Sequence, residues 1–334
     1  MKKFLFCLTA FIFGALPLSA CKKDDGKTVV KISEVTHSVF YAPLYIADAM
    51  GYFEEENLKI ELTNGGGADN VMAAVLSSGV DVGFCGPEAA IYVAVGGSTD
   101  VPKVFGQLTK RDGSFLVSRK AENDFEWSNL KGKEILAGRR GGVPAMTFEY
   151  VLKNNGLNVG VDATLNYDVA FNLMTGAFEG GTADYCTMFE PTASEYQAAG
   201  KGYIVASVGE ASGEVPYTCF MAKSSWIEKN ETTAKKLLRA VTKAVKYVNE
   251  TKNDVLAELL APYFDGTNKN SLAVSAASYK KIDAWKSDLS MTDDSLTRLQ
   301  DIISSAGELT RRVTLNEMAR NDLSAAAYKE IYGA

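Results

Sequence analysis

From residue 28 onward, apolar positions along the chain alternate between two spacings. Residues 28–33 (TVVKIS) are β-like, and 43–50 read as a helix that stops at Gly51, a residue suited to the left-handed position after a helix C-terminus. Residues 59–63 alternate as a strand, 68–77 are helical, and 81–85 make a short apolar strand that runs through Gly86, Pro87 and Glu88 into another helix. A further strand is predicted at 101–108. The rhythm then restarts: strand 134–137, a Gly-Pro turn, helix 145–154, strand 165–168, a helix through Gly176, strand 183–188 and helix 191–199. Such alternation predicts an α/β protein whose sheets are mostly parallel and flanked by helices. From about Ser224 the chain is helical. Within 231–250, Ala234, Leu237, Leu238, Val241, Ala244, Val245 and Val248 fall on one stripe, and Lys235, Lys236, Arg239, Lys243 and Lys246 lie off it. A basic face of this kind fits a membrane surface or ordinary solvation, and solvation is the expectation here.

The two halves echo each other. Asp81-Val-Gly-Phe-Cys-Gly-Pro-Glu-Ala-Ala and Asp184-Tyr-Cys-Thr-Met-Phe-Glu-Pro-Thr-Ala each begin a strand–turn–helix unit, with Glu and Pro at the strand's C-terminal end. Two similar lobes would each present a helix N-terminus at a strand end, where open α/β sheets bind ligands.

The N-terminus has a different pattern. Lys2 and Lys3 precede an apolar run over 4–16 that is broken only by Thr9 and Gly14, followed by Leu18-Ser19-Ala20-Cys21. This is the layout of a secretory signal peptide over 1–20, and the run is shorter than the ~20 residues that cross a bilayer. The Leu-Ser-Ala-Cys segment resembles the bacterial lipobox. That resemblance implies lipidation of Cys21, a charged tether over 21–27, and an exported protein held by lipid alone at the outer face of the cell membrane or a periplasmic membrane face.

Charge narrows the partners. Removing Lys2 and Lys3 with the signal takes the formal net charge from −6 to −8, which disfavours nucleic acid and anionic lipid surfaces. Roughly 310 mature residues suit two lobes better than one small core. Cys85, Cys186 and Cys219 match no metal knuckle and read as small buried hydrophobes. The single histidine, His37, leaves no HExxH and no His cluster, so neither metal nor cofactor is expected. A Ser-His-Asp triad would have to use His37, and no GxSxG elbow accompanies it.

Phe40-Tyr-Ala-Pro-Leu-Tyr-Ile-Ala-Asp-Ala-Met-Gly-Tyr-Phe-Glu-Glu-Glu-Asn-Leu resembles the opening of the periplasmic binding proteins for sulfonates, nitrate and thiamine precursors. Asp81-Val-Gly-Phe, Leu130-Lys-Gly-Lys and Glu190-Pro191 fall where that family has matching segments. The resemblance implies a two-lobed periplasmic-binding-protein-like fold with lobe 1 over 28–112 and 217–334 and lobe 2 over 113–216. Two hinge crossings would lie near 111–114 and 215–218. It also implies a monomeric solute-binding lipoprotein that hands a small molecule to an ABC permease. One branch of the superfamily is an enzyme, the eukaryotic pyrimidine synthase of thiamine biosynthesis, with a Lys and a His around the turn after the third strand and a late Cys-rich motif. Here Cys85 and Ala89 stand near those positions and only Cys219-Phe220 resembles the motif, so a non-enzyme is expected.

The cleft is expected to draw on His37, Phe40 and Tyr41 after the first strand, Asn64 and Gly67 after the second, and Gly86 and Glu88 after the third. Arg139, Arg140, Gly142, Phe189 and Glu190 would come from lobe 2, and Tyr217 from the hinge. Bland alternatives exist for several of them: core packing for Phe40 and Tyr41, a solvated turn for Arg139 and Arg140, and helix capping for Glu88. Two ligand classes fit the set. An anion such as a sulfonate, taurine or nitrate would use the arginines and the Gly141 and Gly142 amides. An aromatic nitrogen heterocycle, such as a thiamine pyrimidine precursor or a flavin, would use the aromatic side chains and the carboxylates.

Overall fold

The computed structural model describes residues 26–333. The expected signal peptide, Cys21 and most of the expected tether lie outside the described residues. Ten strands there form two five-stranded sheets. β1 (Thr28–Glu34), β2 (Leu58–Asn64), β3 (Val82–Cys85) and β4 (Pro102–Thr109) belong to the first sheet. β5 (Ser114–Ser118), β6 (Glu134–Leu136), β7 (Thr164–Asn166), β8 (Tyr185–Phe189) and β9 (Tyr203–Ser207) make the second, and β10 (Thr218–Lys223) returns to the first. The strand orders, β2-β1-β3-β10-β4 and β7-β6-β8-β5-β9, are the same topology drawn twice. The sequence echo places β3 on β8, the central strand of each sheet.

The sheets are mostly parallel as expected: four strands of each run in one direction and a single strand, β10 or β5, runs against them. β1 pairs in parallel with β2 and β3, and β6 with β7 and β8; β10 and β5 pair antiparallel with both of their neighbours. The cause lies in the crossings. β5 arrives from the first sheet over 110–113 and β10 from the second after the short helix Val208–Ser212, so each enters its sheet from the end opposite to the other strands. The sequence did not call these strands or β9. Each is five or six residues long, and β5 is buried along its whole length, so it shows no alternation.

The crossings are tied side by side. Val215 N–H donates to Lys110 O (2.9 Å), Tyr217 N–H to Thr109 O (3.2 Å) and Thr218 N–H to Thr109 Oγ1 (2.8 Å). Between them Asp112 is fully buried, and its Oδ1 accepts from Ser114 N–H (2.7 Å) and the Ser114 hydroxyl (2.6 Å).

The helix Ala42–Ala49 ends as anticipated, with Gly51 at φ +71°. The helix Glu231–Glu250 lays its apolar stripe into the core, each fully buried Leu or Val contributing roughly 1.5–3 kcal/mol. Part of its basic face is paired within the protein: Arg239 Nε donates to Glu56 Oε1 (2.8 Å) and Lys243 pairs with Glu55 (2.5 Å). Cys85, Cys186 and Cys219 are free and buried. Among the described residues no helix is long and apolar enough to cross a membrane.

Candidate functional site

A cleft runs between the sheets at the C-terminal ends of their parallel strands, the place where open α/β sheets bind ligands. Its outer part, about 760 Å³ including a solvent-open mouth, is polar. Here the Gly65–Gly66–Gly67 turn after β2, Asp69 and Asn70 face Arg139, Gly142 and Asn172. An inner chamber of about 340 Å³, again including its solvent-open side, shares Val35, Ala68, Glu88, Pro144 and Phe171 with it and is further lined by Tyr41, Phe189 and Tyr217. A side pocket holds Thr36, His37 and Glu190.

Most of the donors that the anion reading depends on are engaged within the protein. Arg139 Nε lies 3.3 Å from Asp69 Oδ1, an ion pair that joins the two sides of the cleft. Gly142 N–H donates to Arg139 O (3.2 Å). Arg140 does not reach the cleft at all, because its guanidinium stacks on the Tyr167 ring 4.2 Å away. The arginines therefore fill a latch and a surface stack rather than an open anion cradle.

Three further expectations need correction. Phe40 is wholly buried beneath the cleft, its ring centroid 4.9 Å from that of Tyr279 and 5.8 Å from Phe189 and Tyr217, so it is core. Asn64 is absent from the cleft lining, and its Oδ1 accepts from Gly66 N–H (2.9 Å), which shapes the turn. Glu190 reaches the side pocket, but both carboxylate oxygens are spent on Ser194: Oε2 accepts the backbone N–H (2.9 Å) and Oε1 the hydroxyl (2.7 Å). Burial pushes its carboxyl above the usual range and the Ser194 bonds pull it back. The backbone of Glu190 also bridges the lobes. Its carbonyl accepts from the Ser38 hydroxyl (2.6 Å), and its N–H donates to the Tyr279 hydroxyl (2.9 Å).

His37 lines the side pocket, yet both ring nitrogens are engaged. Nε2 faces Tyr263 O at 2.6 Å, and a carbonyl can only accept; Nδ1 faces Glu34 Oε1 at 2.8 Å. Nε2 is therefore the donor to Tyr263, while Nδ1 lies near both Glu34 Oε1 and the Tyr45 hydroxyl (3.0 Å), and the Glu34 contact favours the protonated ring. The bond to Glu34 raises its pKa above 6.5, against partial burial that lowers it.

Tyr41, Gly67, Gly86, Glu88, Arg139, Gly142, Phe189 and Tyr217 do line the cleft. Glu88, at the start of the helix Glu88–Val95, is 1% exposed. Its Oε1 is 3.4 Å from Val143 N–H, and its Oε2 has no hydrogen-bond partner. Burial pushes its carboxyl up to about 7, with Arg139 and backbone amides opposing. Tyr217 faces the Asp112 carboxyl off hydrogen-bond geometry, and burial raises that carboxyl to about 6. The residues that sequence reasoning missed are Val35, Thr36, Asn70, Ala170, Phe171 and Asn172. Phe171 and Asn172 follow β7, a parallel strand end, so the strand-end rule already applied to the other strands would have found them.

The fold and this interlobe cleft define a two-lobed binding protein. The NMT1-like family model matches residues 27–261, and the chain belongs to that family. It is 39% identical over 319 residues, 96% of each chain, to a Bacillus subtilis (strain 168) protein provisionally named binding protein YtlA. Among solved structures, the nitrate-binding protein NrtA of Synechocystis PCC 6803 superposes with a TM-score of 0.74 at 15% identity, covering 92% of this chain and 90% of that one. The alkanesulfonate-binding protein SsuA of Xanthomonas axonopodis pv. citri, bound to MOPS, gives 0.71 at 16% identity over 88% and 98%. At those identities the likeness establishes the periplasmic-binding-protein fold. A 98-residue stretch, 29% of the chain, is 33% identical to the 4-amino-5-hydroxymethyl-2-methylpyrimidine phosphate synthase of Aspergillus parasiticus.

Proposed function

We propose that this chain is the extracytoplasmic solute-binding protein of an ABC importer. It closes 28–112 and 217–334 against 113–216 around a small molecule and delivers it, as a monomer, to a membrane permease. It acts as a binding protein and not as an enzyme. Membership of the NMT1-like family, the YtlA relative and the interlobe cleft support this reading. The Leu18-Ser19-Ala20-Cys21 segment supports export and a lipid anchor.

The ligand is an aromatic nitrogen heterocycle of the pyrimidine or flavin type. One observation carries this. The inner chamber is walled by Tyr41, Phe171, Phe189 and Tyr217, while Arg139 pairs with Asp69, Arg140 stacks on Tyr167 and the Gly142 amide bonds the Arg139 carbonyl. Each aromatic contact adds roughly 0.5–1.5 kcal/mol beyond burial, so Phe171→Ala should weaken binding by about two- to tenfold or more. Mass spectrometry of ligand released from freshly purified, gently denatured protein identifies the occupant, and calorimetry with a pyrimidine, a flavin, taurine and nitrate ranks the classes. Tight taurine or nitrate binding without heterocycle binding overturns the ligand class.

A further inference from the structure

We propose that Glu88 selects the ligand: its Oε2 accepts an N–H from an amino-substituted aromatic ring seated in the inner chamber. This inference rests on the heterocycle reading and adds the group that reads the ring's edge.

The geometry makes Glu88 the cleft carboxylate positioned for this. Glu190 is spent on Ser194, Asp69 is paired with Arg139 in the outer part, and Glu34, which does not line the cleft, is held by His37 and Tyr45. Glu88 lies on the border of the two parts, touching both. Its Oε1 is turned towards Val143 N–H at the start of the helix Val143–Asn154, which leaves Oε2 unpartnered although the residue is 1% exposed. A buried carboxylate oxygen without a donor is costly unless something supplies one. The carboxylate folds back over Gly86, where a Cβ would stand 2.1 Å from Oε2, so Glu88 holds this conformation only because position 86 is glycine. The walls supply ring contacts, and their polar atoms are mainly hydroxyls: Tyr41, Tyr217 and Thr218. A flat ring that stacks there and points an N–H at Oε2 satisfies both features at once.

The groups facing Glu88 fix how protons enter. Arg139 opposes it from the turn after β6, in a pair with Asp69. Tyr41, Tyr92, Tyr217, Cys85 and Cys219 face it from β1's end, its own helix, the hinge, β3 and β10. The tyrosines and thiols are all pushed up and stay neutral near pH 7, so Glu88 is the group in the chamber that changes charge there. The ionised carboxylate is the stronger acceptor for a neutral N–H. Affinity should therefore be full above about pH 7 and fall below it, as protonation weakens the carboxyl as an acceptor.

Calorimetry on the full mature chain tests this, using cytosine and 4-amino-5-hydroxymethyl-2-methylpyrimidine, each against its counterpart lacking the amino group. Measurements run from pH 6 to 8.5 and are corrected for the probes' own titration. Wild type should prefer at least one amino compound to its counterpart by about tenfold or more at pH 8, and lose affinity below pH 7. Glu88→Gln, which keeps the side chain's size, should lose most of that preference and flatten the pH profile. The wild-type pH profile is informative even if that variant misfolds. Heterocycle binding with neither amino preference nor pH dependence overturns the role of Glu88 and leaves the ligand class standing. Binding of taurine or nitrate with none of the rings overturns both, and so does failure of every ring probe to bind.

Discussion

His37 is the protein's single histidine, so its titration can be followed without a mutant background. When protonated, its ring donates Nδ1–H to Glu34, which is 2% exposed, and Nε2–H to the Tyr263 carbonyl, tying the end of β1 to residues far along the chain. Tyr45 supplies the other donor to Glu34 (2.6 Å). Replacing His37 with Ala leaves Oε1 buried without its charged donor. Breaking a fully buried pair costs about 3–5 kcal/mol, but the His37 side chain is 36% exposed, so water recovers part of the loss. One charge-assisted bond of about 1.5–3 kcal/mol plus a weaker neutral one gives an expected destabilisation of about 2–3 kcal/mol at pH 6. The folded pKa lies above the unfolded value of about 6.5. The contribution is therefore complete below pH 6.5 and is lost as pH rises through the folded pKa. Urea unfolding of wild type and His37→Ala at pH 6 and pH 9 should show a gap that narrows at the higher pH. The imidazole proton resonances should titrate above 6.5 in wild type and lower in Glu34→Gln, where the burial that lowers the pKa remains and its largest opponent is gone. A wild-type midpoint at or below 6.5, or one unmoved by Glu34→Gln, refutes the charged pair.

Other outcomes follow from the same geometry. Gly113→Ala places a Cβ 2.7 Å from the Phe40 ring at the first crossing and should destabilise by about 1–3 kcal/mol through overpacking, read as a lower urea midpoint with an unchanged slope. Arg139→Ala removes the ion pair that spans the cleft and should cost less than about 1 kcal/mol of stability, because both partners are substantially exposed; a loss of several kcal/mol would show that the latch carries more than a surface pair can. Cys21→Ser should abolish labelling by a fatty-acid probe and leave the protein released or retained as a precursor, and an unlabelled wild type removes the anchor from the account.

Much of the first half of each lobe was legible because its strands and helices keep their own periodicities: β1 to β4, β6 and β8, the Gly51 stop, and the amphipathic helix Glu231–Glu250 with its solvated basic face. Short, wholly buried strands such as β5 carry no alternation, and strand direction depends on where the chain re-enters a sheet, so neither β5 and β10 nor their reversed direction could be read. At the site, strand-end logic found the right turns but not the right atoms. Phe40 and Tyr41 are neighbours in sequence, yet one is core and the other lines the chamber. Arg139 and Arg140 diverge in the same way, towards Asp69 and towards Tyr167. The pairing of Arg139 with Asp69 joins residues 70 positions apart and has no local signature. The Glu190–Ser194 cap has one, a carboxylate just before a helix with a serine in its first turn, and it was available from the sequence.

Solution scattering on the mature protein, with and without the ligand identified by mass spectrometry, tests the central claim most directly, since capture between hinged lobes requires the molecule to close. The account predicts a smaller radius of gyration at saturation, because the cleft and its latch lie between lobes joined by only two crossings. A scattering curve unchanged at saturation would contradict it.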